Sequence, residues 1–325
     1  MPTLRSNKPD IAITIGDPAG VGPEVVLKAL ASSKVFGLAN FFVIGDKFVM
    51  KKIENATGLR LKTPLLDLSN VLQSHFSYGE SSPLFGRASI QYINKGLELL
   101  KRREVDGLVT GPVSKSSVRA SGVSRFEGHT EYLAEKTHTR DFAMMFVSGS
   151  IKATLVTRHI ALRDVADHLS TDLIYRAIIL THKYLKKFFR IKNPKIGVSG
   201  LNPHAGENGL FGCEEKRIIT PAIDKASRHI KGISGPVPPD IIFYNSLNKK
   251  YDAVIAMYHD QALIPFKTLY FKTGVNLTLG LPFIRTSPDH GTAFEIAGHN
   301  MADPSSMIAA ISLASRLSGY QKIRQ

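Results

Sequence analysis

The sequence predicts an α/β fold, with helices on both faces of a largely parallel sheet, and three observations carry that prediction. Short apolar runs bounded by Gly, Pro or Asp recur along the 325 residues, at the lengths of strands buried on both faces. Longer segments with apolar residues at helical spacing lie between several of these runs. Hydrophobic residues make up 43% of the chain and charged residues 21%, which suits a folded protein with a large core and excludes a disordered or small cross-linked one.

The expected strands are IAITIG (11–16), FFVIG (41–45), GLVTG (107–111), KIGVSG (195–200) and YDAVIAMYH (251–259). The expected helices cover 84–103, 172–190, 214–229 and 304–317, and 172–190 shows an apolar stripe of Ile174, Ile178, Leu185 and Phe188. One region departs from the alternation. FAMMFVSG and KATLVT, joined around Gly149 and Ser150, read as an antiparallel hairpin suited to a sheet edge or to a sheet shared between lobes or subunits. No repeat or Gly/Ser linker separates the chain, so the lobes are expected to be interwoven.

Composition narrows the function classes. Cys213 is the only cysteine, so no disulfide forms within the chain. No apolar stretch reaches the roughly 18 residues of a membrane span. The N-terminal MPTLRSNKPD runs into a strand without the apolar core of a secretory leader, and the expected compartment is the cytoplasm. The formal charge of +15 sits largely on helix faces such as Lys183, Lys186, Lys187 and Arg190. No zinc-finger spacing or RNA-recognition signature interleaves with it, so no nucleic-acid partner is expected.

Several segments carry chemistry. GDPAGVGPE makes a tight strand-to-helix turn through Gly16, Gly20 and Gly22, with Pro23 in the first helical turn and Glu24 near the positive helix end. Three of the eleven histidines, His159, His204 and His259, end strand-like runs, where open α/β sheets bind ligands. Neutral imidazoles suit zinc, cobalt or a similar divalent ion, and three protein ligands leave room for substrate oxygens; each histidine taken alone also fits a hydrogen-bonded packing role. Lys267, Asn276 and Arg285 lie around glycine-rich loops as donors for phosphate or carboxylate, or as surface charges on a hairpin. Ser114, Lys115, His129 and Thr130 stand at loop-to-helix junctions, where anions bind well.

GDPAGVGPE, GLVTGPVSK, GHTEYLA, TRHIALRDV, GLNPHAGENGLFGCEE, YDAVIAMYHDQALIPFK and LPFIRTSPDHGTAFEIAG, in this order and over nearly the whole chain, resemble the 4-hydroxythreonine-4-phosphate dehydrogenases of pyridoxal phosphate (vitamin B6) biosynthesis. More distantly, GDPAGVGPE and HGTAFEIAG are similar to segments of the isocitrate and isopropylmalate dehydrogenases. The resemblance implies two α/β/α lobes of that dehydrogenase fold, with boundaries that are discontinuous, an inter-lobe active-site cleft, and a homodimer whose partner completes the site. It places one divalent metal (Zn, Co, Mg or Mn) on His159, His204 and His259, and substrate on His129, Thr130, Lys267, Asn276 and Arg285.

The same resemblance assigns Asp289, His290, Gly291, Thr292, Ala293 and Glu295 to the adenosine of NAD. Glu295 stands where the distant relatives have an aspartate, and a carboxylate facing the ribose favours NAD over NADP. The implied reaction is oxidation of 4-phosphooxy-L-threonine to 2-amino-3-oxo-4-phosphooxybutanoate, which decarboxylates to 3-amino-2-oxopropyl phosphate. Asp260 is a candidate base or an orienting group for His259. The alternatives are a sibling dehydrogenase of threonate or erythronate 4-phosphate and, from another class, a metal-dependent hydrolase or lyase.

Overall fold

A computed structural model describes residues 8–322, and these form two compact units: 8–137 together with 281–322, and His138–Gly280. Residues 1–7 of the basic N-terminal segment lie outside the described residues.

In the first unit the order along the chain is β1 (Asp10–Thr14), α1 (Gly22–Leu30), β2 (Asn40–Gly45), α2 (Lys47–Thr57), β3 (Leu65–Asp67), α3 (Pro83–Lys101), β4 (Gly107–Thr110), α4 (Lys115–Ala120) and α5 (His129–Lys136). The second unit adds β5 (Ala143–Ser148), β6 (Ile151–Leu155), α6 (Val165–His168), α7 (Thr171–Lys187), β7 (Ile196–Ser199), α8 (Thr220–Ser227), β8 (Ile233–Val237), α9 (Pro239–Leu247), β9 (Ala253–Ala256), α10 (His259–Tyr270) and β10 (Val275–Leu279). The chain then returns to the first unit as β11 (Ile284–Pro288) and α11 (Ser305–Lys322).

The first unit's strands run in the order β3-β2-β1-β4-β11, every pair parallel. Ile11, Ile13, Val43, Ile44, Leu108 and Val109 are fully buried, as strands covered on both faces require. Ser82 accepts a hydrogen bond from the Leu84 N–H and Pro83 opens the helix, so α3 begins with two of the usual start signals. Ser114 caps α4 in the same way through the Ser117 N–H.

The second unit's order is β10-β5-β6-β9-β7-β8. Its strands alternate between two cores. Ala253 and Ile255 of β9 face a cluster with Ile174, Ile178 and Leu185 of α7 and Ala222 of α8, while Val254 and Ala256 face Ile242 of α9 and Ala262 and Phe266 of α10. The β5/β6 hairpin forms, with Ser148 opposite Ile151. Of its two expected placements the edge is excluded: β10 pairs antiparallel with β5 and β9 parallel with β6, so both hairpin strands are interior. Their residues explain the placement, since all six of β5 are buried, which an edge strand would leave half exposed. Gly149 takes φ 51° in the turn, and a Cβ there would press on the Tyr270 ring.

The helix expected over 214–229 begins differently. Residues Glu215–Ile219 form a π turn, with the Thr220 N–H donating to the Glu215 carbonyl, before α8 starts. Pro221, which has no N–H to donate, sits where the register changes. Among the described residues no helix is long and apolar enough to cross a membrane.

Candidate active site

The three histidines all leave the carboxyl ends of parallel strands in the second unit. His159 follows β6, His204 follows β7 and His259 opens α10 after β9, and β6, β9 and β7 are neighbours in the sheet. Beyond the strand ends, the Val156 and Thr157 N–H groups donate to the Ala256 and Met257 carbonyls, which keeps the two chains in step. That extension brings the His159 and His259 rings to 6.1 Å, centroid to centroid. Both line a pocket of about 190 Å³ with Arg158, Ile160, Leu162, Val165, Tyr258 and Asp260.

His259 Nδ1 lies 2.6 Å from Asp260 Oδ1, and the His259 side chain is 40% exposed. A carboxylate on one ring nitrogen fixes the ring and leaves Nε2 for a ligand, the usual support of a metal-bound imidazole. The donor chemistry of the pair therefore fits a divalent cation. Among the described residues, however, no group of three or more His, Cys, Asp or Glu side chains is placed to hold a metal. His159 and His259 come together within one chain; His204 does not join them.

His204 sits on a strained turn. His204, Ala205, Gly206, Glu207 and Asn208 run consecutively in the left-handed region, with φ of 52°, 53°, 79°, 39° and 57°. Each non-glycine residue there costs about 1–2 kcal/mol. Glu215, buried, holds the turn from inside: its Oε1 accepts from the Leu201 and Asn202 N–H groups at 2.8 and 2.7 Å, and its Oε2 accepts from Asn202 Nδ2 at 3.0 Å. Gln261 ties the base of the turn to the His259 segment, donating to the Gly200 carbonyl and accepting from the Met257 N–H. The exposed His204 ring lies 6.1 Å from that of Phe211.

Arg285, His129 and Thr130 belong to the first unit. Arg285 on β11 is 2% exposed and donates from Nη2 to Thr110 Oγ1 at 2.6 Å. Burial pushes its guanidinium down to about 9, against the opposing pull of Glu131, and it stays charged at neutral pH. His129 opens α5 and packs edge-on against Phe126. Burial, and then the positive charges of Arg285 and Lys115, hold its imidazole well below the usual histidine range, so it is neutral at pH 7. His129 Nε2 is shielded from solvent and has no hydrogen-bond partner among the described residues. Thr130, next on α5, is buried. A buried guanidinium beside a neutral imidazole gains from any anion that reaches it. In the second unit, Lys267 lies on α10 and Asn276 on β10, where Asn276 Oδ1 is buried and has no hydrogen-bond partner among the described residues.

The segment 289–302 of the first unit is fastened at several points. The Asp289 N–H donates to Ser306 Oγ, and the Val21 N–H donates to the Thr292 carbonyl. His290 Nδ1 lies 3.0 Å from the Gly291 carbonyl. A Cβ at Gly20 would meet Thr292, whereas one at Gly291 would meet nothing within 4 Å. Ala293 takes φ 42° and leads into a short 3-10 turn carrying the exposed Glu295. Glu24 and Lys28 of α1 clamp the far end: Glu24 Oε1 accepts from the Ala302 N–H at 2.8 Å and from Lys28 Nζ at 2.7 Å, and Lys28 also reaches the Asn300 and Ala302 carbonyls.

Sequence reasoning placed Glu24 only near a helix end, and it missed Arg158, Tyr258, Glu215 and Gln261. The position of Arg158 and Tyr258 immediately before the two paired histidines was the available signal for those two. Asp17, also passed over, is fully buried in the GDPAGVGPE turn, accepting from the Ala19 N–H; burial raises its carboxyl to about 6.

Histidines at parallel strand ends and a buried arginine beside a neutral histidine define an α/β enzyme that handles small anionic substrates. Comparison with known proteins makes the class particular. A family model described as "Pyridoxal phosphate biosynthetic protein PdxA" matches residues 27–314. The chain is 43% identical to a 4-hydroxythreonine-4-phosphate dehydrogenase of Desulforapulum autotrophicum, covering 96% of each chain. It is 42% identical to a D-threonate 4-phosphate dehydrogenase of Salmonella typhimurium, over 94% of this chain and 98% of the relative. The crystal structure of a 4-hydroxythreonine-4-phosphate dehydrogenase from Klebsiella pneumoniae superposes with a TM-score of 0.87 at 36% identity, covering 96% of this chain and 98% of that one. The chain therefore belongs to the PdxA family of dehydrogenases.

Proposed function

We propose that this dehydrogenase oxidises 4-phosphooxy-L-threonine with NAD, assisted by a divalent cation on His159, His204 and His259. The observation that carries the reading is the His159 and His259 pair at adjacent strand ends, with Asp260 on the second ring. A homodimer fits the same reading, because His204 stands apart from the pair and a second copy can supply a third ligand. The exposed Ile241 and Tyr244 of α9, Ile264 of α10 and Phe271 just after it are side chains of the kind a second copy covers. The proposed compartment is the cytoplasm.

A cation held there would draw charge from the substrate hydroxyl and lower its pKa. Arg285, His129 and Thr130 in the first unit, and Lys267 and Asn276 in the second, are the groups that would bind the phosphate and carboxylate ends. Bound NAD would supply the acceptor for the C3 hydride, and Asp260 is read as orienting His259 because its Oδ1 is engaged there. The 3-oxo acid then loses carbon dioxide to give 3-amino-2-oxopropyl phosphate. Residues 289–295 would hold the adenosine, and the Glu295 carboxylate would accept from the ribose hydroxyls.

D-threonate 4-phosphate is the second reading, favoured by the near-equal identity to the Salmonella relative. Stripping metal, restoring single cations and following NADH formation on both substrates separates the two. A higher kcat/KM on the amino acid supports the first reading, and a higher value on the sugar acid supports the second. Full activity in metal-free protein refutes the cation, and metal-dependent cleavage without NADH would indicate a hydrolase or lyase.

A further inference from the structure

We propose that Glu215 is a positioning residue for His204: its buried carboxylate holds the left-handed turn that aims the imidazole. The proposal rests on the metal reading above. The turn buries little. Pro203, His204, Glu207, Asn208, Gly209 and Leu210 are all exposed, so packing does not repay four non-glycine residues in the left-handed region. Beside backbone bonds from the Ala205 N–H to the Asn202 carbonyl and from the Phe211 N–H to the Gly206 carbonyl, one buried side chain fastens the start of the turn. Glu215 takes the Leu201 and Asn202 N–H groups on one oxygen and Asn202 Nδ2 on the other, while Asn202 Nδ2 also reaches Glu214 Oε2 at 2.7 Å.

The backbone closes around that carboxylate. A Cβ at Gly206 would come within 2.6 Å of Glu215 Oε2, and one at Gly200 within 3.1 Å of Oε1, so glycine is the residue that lets the turn wrap so tightly. Glu215 itself begins the π turn, whose extra residue sets the rotation at which its side chain points back toward Leu201 and Asn202. The base of the turn is braced separately through Gln261 and the Gly200 carbonyl. Loss of Glu215 thus releases the segment that carries His204 and leaves the sheet beneath it intact.

The test is cobalt affinity of the full chain, measured against a chromophoric chelator, with the visible d–d absorption of bound cobalt as a second readout. Glu215→Ala is expected to weaken cobalt binding about tenfold or more and to change the d–d spectrum, as loss of an outer support does. Glu215→Gln, whose carbonyl still accepts both N–H groups, is expected to restore binding to within about threefold of the native chain. On a His204→Ala background, Glu215→Ala is expected to add no further loss. Unchanged affinity and spectrum in Glu215→Ala, or an equal loss on the His204→Ala background, overturns the positioning role. If His204→Ala alone leaves cobalt affinity unchanged, the metal reading at His204 fails and the proposal falls with it. Should Glu215→Ala not fold, Glu215→Asp keeps the charge but shortens the reach to the Leu201 and Asn202 N–H groups, and cobalt binding as tight as in the native chain would then overturn the proposal.

Discussion

The His159 and His259 rings stand 6.1 Å apart because the chains leaving β6 and β9 stay hydrogen-bonded beyond their strands. Thr157 Oγ1 adds a bond of 2.7 Å to the Met257 carbonyl at that point. Replacing either histidine by alanine is expected to lower cation affinity and NADH formation together by about tenfold or more, with little change in the thermal midpoint because both rings face solvent. Calorimetric titration with zinc and steady-state rates check this, and a loss of rate with native zinc affinity would contradict it.

Asp260 separates orientation from proton transfer. Asp260→Asn keeps an oxygen 2.6 Å from His259 Nδ1 but removes the charge. An orienting role predicts a cation affinity weakened by about tenfold, with activity recovered at saturating cation. If Asp260 takes the proton instead, kcat stays depressed at every cation concentration.

Arg285 is held by Thr110. Arg285→Lys loses the planar fork, and its KM for the phosphorylated substrate is expected to rise about tenfold or more while kcat changes less. Thr110→Val removes that hydroxyl from the buried guanidinium and is expected to cost about 1–3 kcal/mol of stability, measured by urea denaturation.

Lys28 fastens the segment proposed to bind adenosine. Lys28→Met removes the cation beside the buried Glu24 carboxylate, which keeps its bond from the Ala302 N–H, and frees the Asn300 and Ala302 carbonyls. The expected result is a KM for NAD raised severalfold with kcat nearly unchanged, and partial recovery in Lys28→Arg. Equal effects on substrate and NAD would point to a general loss of structure instead.

Asp17 makes stability depend on pH. Burial raises its carboxyl from the ordinary 3.8 to about 6, so the fold favours the protonated form. That contribution is complete below pH 3.8 and is lost as pH rises through about 6, an effect on the order of 3 kcal/mol. Asp17→Asn stays neutral and keeps an acceptor for the Ala19 N–H. Its urea midpoint is expected to exceed the native one at pH 8 and to match it near pH 4. A gain of the same size at both values would count against the buried acid.

The sequence makes the parallel strands legible because β1, β4, β7, β9 and the end of β2 are covered on both faces and read as short apolar runs. The β5/β6 hairpin was equally legible, but its interior place depends on β10, whose partner lies more than a hundred residues away in sequence. Histidines at strand ends follow from the strands themselves. The pairing of two of them does not, because it needs the order β6-β9-β7, which no local pattern encodes. The left-handed run at His204 was hidden for another reason. Ala205 and Glu207 have no preference for that region, and the buried Glu215 that fastens the start of the turn at Leu201 and Asn202 lies beyond it in the chain.

The first unit is interrupted by the whole of the second: β11 lies parallel beside β4, yet His138–Gly280 intervenes in the chain between them. During synthesis the middle segment is complete before the last strand of the earlier one has been made, so the unit begun second is the first that can finish folding. Until Ile284–Pro288 arrives, β4 keeps an open edge with unpaired backbone groups. A ribosome that stalls before that point would leave a nascent chain bearing a histidine-lined pocket on a finished unit and a sticky, unfinished neighbour.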